Sequence, residues 1–199
     1  MKILNPRLAF LTVILTLGSV CRAQGVPAPV IGKGSVIVYD VKENKVSYQY
    51  TVTVTKFSEA DGIELKWTTN EKPAKSGTTA MAFTNLDNAT KLKIKPVPGN
   101  EKLGEDQLRV LFSNDVVTTL VGKKFATIEI DGKEDMFLYL SAKAETETFN
   151  YNGEKVSVDF SYGDAGATQI GFVTIGDYQV VHTFRSKEFT FTLKSVTTK

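Results

Sequence analysis

The sequence predicts an all-β domain: an antiparallel sandwich, a barrel or a strongly curved sheet, with one or two short helices. Three observations carry that expectation. Val46, Tyr48, Tyr50, Val52 and Val54 alternate with Ser47, Gln49, Thr51, Thr53 and Thr55, the period-two pattern of a strand with one buried and one wet, hydroxyl-rich face. Similar short segments recur down the chain, each closed by a turn signal. Helical periodicity is scarce, and the best candidate is rich in β-branched residues.

Taken in order, 36–39 reads as a partner of the long 46–54 strand, joined by a hairpin turn over Lys42, Glu43, Asn44 and Lys45. Further strands are expected at 63–69, 78–83, 91–95, 107–112, 124–130, 135–141, 145–151, 154–162, 168–175, 178–184 and 188–196. Asp61-Gly62, Ser76-Gly77, Pro98-Gly99, Asp131-Gly132, Asn152-Gly153, Asp164 to Gly166 and Gly176-Asp177 supply the turns between them. Asp131-Gly132 and Asn152-Gly153 are the clearest hairpins, because a two-residue turn needs positive φ and Asn, Asp and Gly tolerate it. A helix is expected from Asn114 to Leu120, capped by Ser113 or Asp115, and a second short turn over Asn85 to Thr90.

The N-terminus reads differently. Lys2 and Arg7 precede an apolar run from Leu8 to Leu17, then Gly18, Ser19, Cys21 and Ala23 place small residues where a signal peptidase cuts, before Gln24. Residues 1–23 are therefore read as a signal peptide, 24–34 as an extended Pro- and Gly-rich leader, and 35–199 as one β-rich domain. Export to the periplasm or the extracellular space follows, with no transmembrane anchor once the signal is cut. Lipidation at Cys21 is the weaker alternative, since Gly18, Ser19 and Val20 fit the required pattern poorly. The signal holds three of the 24 basic residues and none of the 22 acidic ones, leaving 21 against 22, so no basic field for nucleic acid remains. Cys21 is the only cysteine, so the mature chain has no disulfide and no thiolate metal site.

Chemistry-bearing residues are few. His182 is the one histidine, and in an apparent strand it reads as a sheet residue, half exposed or hydrogen-bonded locally, rather than a catalytic base. Asp131, Glu134 and Asp135 lack the alternating acids and glycine of a calcium loop and read as hairpin-solubilising charges. Gly163, Gly166 and Gly171 read as turn glycines rather than a phosphate cradle. Trp67, alternating with Ile63 and Leu65, reads as core. Asn88-Ala89-Thr90 is a glycosylation sequon whose use depends on the host. Thr51, Thr53, Thr55, Thr68, Thr69, Thr78 and Thr79 suggest a wet face open to carbohydrate or a protein edge, or simply exposed strand positions. No catalytic, cofactor-binding or metal residue is named, and no cofactor is expected.

The signal ending in Ala23-Gln24, with Tyr48 to Val54, Trp67, Ser76-Gly77, Asn88-Ala89-Thr90 and the strand leading into Ser113, resembles uncharacterised exported β-rich proteins of Bacteroidetes-type bacteria. The resemblance spans roughly residues 46–196. It implies a domain of the cell envelope and assigns no catalytic residues. The leading expectation is a non-enzymatic envelope domain that binds a protein partner or an apolar small molecule, with a concave apolar face or cavity. A hydrolase of envelope polysaccharide using two carboxylates, and a structural module of a surface assembly, are the alternatives.

Overall fold

A computed structural model describes residues 30–141, 145–165 and 167–199; the expected signal peptide, Cys21 and the first part of the leader lie outside the described residues. The chain runs β1 (Val36–Glu43), β2 (Val46–Ser58), β3 (Gly62–Thr69), β4 (Ser76–Met81), α1 (Asn85–Asn88), β5 (Lys91–Leu92), β6 (Gly99–Lys102), β7 (Gln107–Leu108) and β8 (Leu111–Phe112). It continues through α2 (Asn114–Lys123), β9 (Phe125–Ile130), β10 (Lys133–Leu140), β11 (Glu145–Tyr151), β12 (Glu154–Ala165), β13 (Thr168–Ile175), β14 (Tyr178–Arg185) and β15 (Phe189–Thr197). This is the all-β class expected, as one large, mostly antiparallel sheet not closed as a whole into a barrel.

Turn chemistry sets the hairpins. Asn44, Asp131 and Asn152 hold positive φ of 53, 50 and 49°, and Gly132 and Gly153 follow the last two at 76 and 88°. These values match the mirror-image turns whose twist suits a hairpin. Each such turn brings β1 onto β2, β9 onto β10 and β11 onto β12 in antiparallel register. Ser113 caps α2, its Oγ accepting from the Val116 amide at 3.3 Å.

The sheet order is β6-β4-β3-β2-β1-β15-β14-β13-β12-β10-β9-β5-β7, so the first strand pairs with the last, Val36 opposite Thr197. β11 pairs antiparallel along β12 and, at Asn150 and Tyr151, parallel with the end of β15. The C-terminal strands therefore roll back on themselves. Inward-facing residues form one hydrophobic cluster centred on Tyr39, Tyr50, Trp67 and Phe191. Tyr39 stacks on Phe191 at 3.9 Å, and Tyr50 lies 5.7 Å from Trp67. Removing each apolar side chain of this kind from water is worth about 1.5–3 kcal/mol. Ile31, inside the expected leader, is also buried in this cluster, while the Gly34 amide bonds the Val54 carbonyl at 2.8 Å.

Several expectations change. Thr69 and Thr79 are buried, because period two forbids them the outer face that Thr68 and Thr78 occupy. Gly163 and Gly171 lie inside β12 and β13 rather than in turns. A Cβ on Gly163 would stand 3.1 Å from the Leu138 Cβ, so close strand packing accounts for it. Gly166 lies outside the described residues. Pro98-Gly99, expected as a turn, opens into β6, which runs parallel to β4.

Candidate interaction surfaces

Any catalytic reading of the lone histidine has to contend with where β14 puts it. In the β13–β14 ladder Gly171 faces Thr183 and Phe172 faces Val181, so His182 is the extra residue of a β-bulge. The bulge interrupts the pleat, and β14 is buried on both faces from Val180 to Phe184. His182 is wholly enclosed rather than half exposed, edge-on to Phe149 with ring centroids 6.2 Å apart. Glu147 and Arg185, themselves paired at 3.1 Å, are its charged neighbours. Burial lowers its pKa below the ordinary histidine value, and the Arg185 charge adds to this while Glu147 opposes it.

A second polar cluster lies in the core, and sequence reasoning missed it. Arg109 is fully buried, donating to Glu101 Oε2 at 2.7 Å and to the Lys95 carbonyl at 2.7 Å. Its guanidinium lies beside the Tyr50 hydroxyl and favours the phenolate, yet burial prevails and pushes that hydroxyl up to about 12. The Tyr39 hydroxyl, Trp67 Nε1, Thr79 Oγ1 and Arg109 Nε have no hydrogen-bond partner among the described residues. Trp67 is core, as its spacing implies. Arg109 is enclosed while its partner Glu101 is 23% exposed, so the ion pair runs from the core, beside Tyr50 of β2, to the surface. Asp131, read as a solubilising charge, instead accepts from the Ile94 amide at 2.8 Å and the Lys95 amide at 3.3 Å, which ties the β9–β10 turn to the loop after β5. Side chains of Glu134 and Asp135 lie outside the described residues.

Two outer surfaces differ from an ordinary wet sheet. On β9 and β10 three outward positions are aromatic. Phe125, Phe137 and Tyr139 are 44, 57 and 59% exposed, where a soluble strand would carry polar residues. Register places Tyr139 opposite Phe125 and Phe137 opposite Thr127, so all three rings share one face. The Phe125 and Tyr139 rings lie 6.5 Å apart. Half-exposed rings of this size present roughly 300 Å² of apolar surface together, the size of the largest patch on a typical monomer.

The other surface is an open hollow of about 400 Å³ on the outer face of β1, β2 and β15, lined mainly by Asp40, Lys42, Ser47, Gln49, Thr190 and Thr192. Asn70 stands at its rim, its Oδ1 accepting from the Gln49 amide at 2.6 Å. Among the described residues no three His, Cys, Asp or Glu side chains gather as around a metal ion, and no helix is long and apolar enough to cross a membrane.

Fold and surfaces together define a mostly antiparallel all-β domain with one hydrophobic core, three exposed rings on its β9–β10 face and an open hollow on β1, β2 and β15. Comparison with protein-family models, curated proteins and solved structures finds no match to this chain.

Proposed function

We propose that this protein is a non-enzymatic binding module of the cell envelope, and that it engages a protein partner through the aromatic face of β9 and β10. One observation carries the reading: three rings on one strand pair stand about half exposed, where burial against a partner would recover the apolar free energy they lack in the free chain. Protein contacts are enriched in such rings, which offer large area for few rotatable bonds. A protein partner suits this surface better than an apolar small molecule, because the three rings lie on an open strand face rather than in a cavity. The envelope setting rests on the signal-like N-terminus and on the resemblance to exported β-rich proteins.

Site-specific photocrosslinking in the producing organism tests this. A photoreactive phenylalanine at position 137 is expected to give one discrete adduct, and the same probe at the exposed Lys66 position on β3 none. The double change Phe125→Ser, Tyr139→Ser is expected to abolish the adduct without altering the melting temperature. No adduct at 137, or an adduct indifferent to the double change, overturns the proposal.

A further inference from the structure

The hollow on β1, β2 and β15 is built differently from the aromatic face, and its chemistry points to a different ligand. Its lining is a grid. Asp40 pairs with Gln49 on β2 and with Thr192 on β15, while Lys42 pairs with Ser47 and with Thr190. Two complete rows of three side chains therefore point outward from three adjacent strands. Strand geometry makes the grid about 10 Å across the strands and about 7 Å along them.

Four of these six groups are short hydroxyl or amide side chains, which both donate and accept. The lining itself holds one acid and one base, Asp40 and Lys42, and Lys194 at the rim adds a second base, its Nζ 3.5 Å from Asp40. With so small a net charge the hollow has no strong field for an ion, and it sets hydrogen-bonding groups beside the aliphatic stems of the same side chains and beside Val41 and Tyr48. What it complements is a neutral molecule dense in hydroxyl groups.

Position supports the same conclusion. The six residues sit on long paired strands rather than on loops, so their spacing is fixed before any ligand arrives. Asn70 extends the β2–β3 pairing by one step, its Oδ1 accepting from the Gln49 amide and its own amide donating to the Gln49 carbonyl at 3.2 Å. The row continues inward to the buried Thr183, whose Oγ1 lies 3.5 Å from that of Thr192. The hollow, about 400 Å³ and broadly open to solvent, leaves room for a chain to lie across it.

We infer that this hollow is a saccharide-binding site taking a short neutral stretch of a polysaccharide, with Asp40, Gln49, Ser47, Thr190 and Thr192 supplying the hydrogen bonds. It is separate from the aromatic face and does not depend on that face having a partner.

The full mature chain is screened against immobilised neutral oligosaccharides, namely β-glucan, α-mannan, xylan and N-acetylglucosamine oligomers, with a sulfated polysaccharide as anionic comparison. At least one neutral oligomer is expected to bind, with little salt dependence. Thr190→Val and Ser47→Ala each keep the side-chain size close while removing a hydroxyl. Each is expected to weaken binding by about tenfold, the effect of one hydrogen bond, at unchanged melting temperature. Phe137→Ser is expected to leave binding intact. Failure of every neutral oligomer, binding of the sulfated polysaccharide alone, indifference to Thr190→Val and Ser47→Ala, or loss on Phe137→Ser would each overturn the assignment.

Discussion

At the scale of single residues, His182 shows how a bulge converts an ordinary strand position into a pH-sensitive one. Enclosure disfavours the imidazolium, so the folded pKa lies below the unfolded value of 6.5. On acidification the unfolded chain takes up its proton first. The stability owed to neutral His182 is therefore complete above pH 6.5 and is lost as pH falls below it through the folded pKa. The melting temperature is expected to drop between pH 7.5 and 5.5, and the drop should be shallower in His182→Gln, whose side chain does not titrate. Parallel profiles for the two proteins would show that other groups govern this window. Arg109 makes a related point without titrating. A fully buried guanidinium is tolerated because Glu101 and a backbone carbonyl compensate it, and nothing in the local pattern Leu108-Arg109-Val110 announces that burial.

At the scale of elements, Gly77 governs how β4 meets β3. Gly77 pairs with Trp67 across the ladder and with Gly99 on β6. A Cβ at this position would lie 2.7 Å from the indole Cζ2 and would also collide with the Gly99 carbonyl oxygen. Since Trp67 is locked in the core and β6 is backbone, neither can yield cheaply. Gly77→Ala is expected to destabilise the fold by about 1–3 kcal/mol, read as a lower urea midpoint at unchanged slope. An unshifted midpoint would mean that β4 moves freely away from Trp67. The same corner shows where sequence reading stops. Strands such as β2, β3 and β13 were legible because β-branched and aromatic residues either alternate or run unbroken between clear turns. β6 was not: Gly99, Asn100, Glu101 and Lys102 have no strand preference, and pairing with β4, aided by the 2.6 Å bond between Thr78 and Asn100, makes the strand. The bulge at His182 was equally invisible, because it is a property of the β13–β14 pairing rather than of either strand.

At the scale of the whole molecule, both candidate surfaces depend on contacts distant in sequence. Met136 to Leu140 is an unbroken apolar run, so no alternation says which of its residues face outward; burial of Leu138 over Gly163 leaves its neighbours Phe137 and Tyr139 on the outer face. The hollow needs β15 beside β1, strands from opposite ends of the described chain. β15 is also the strand that joins the two halves of the sheet. It pairs with β1 along its length, with β14 through Thr190 to Thr192 and with β11 at Ser195 and Val196, and it buries Phe189, Phe191, Leu193 and Val196. Such long-range pairing makes folding slow, and it places β15 in the core of both halves. A chain ending after Lys187 is therefore expected to show no cooperative unfolding transition, with Trp67 fluorescence shifted to that of a solvent-exposed indole and rapid proteolysis throughout. A chain ending after Thr197 keeps every β15 pairing and is expected to unfold cooperatively, with Trp67 fluorescence and circular dichroism changing together. A cooperative transition in the shorter chain would show instead that β1 to β4, with Tyr50, Trp67 and Arg109, form a core that stands without β15. The hollow would then be an addition to an independent unit rather than the seam on which the fold depends.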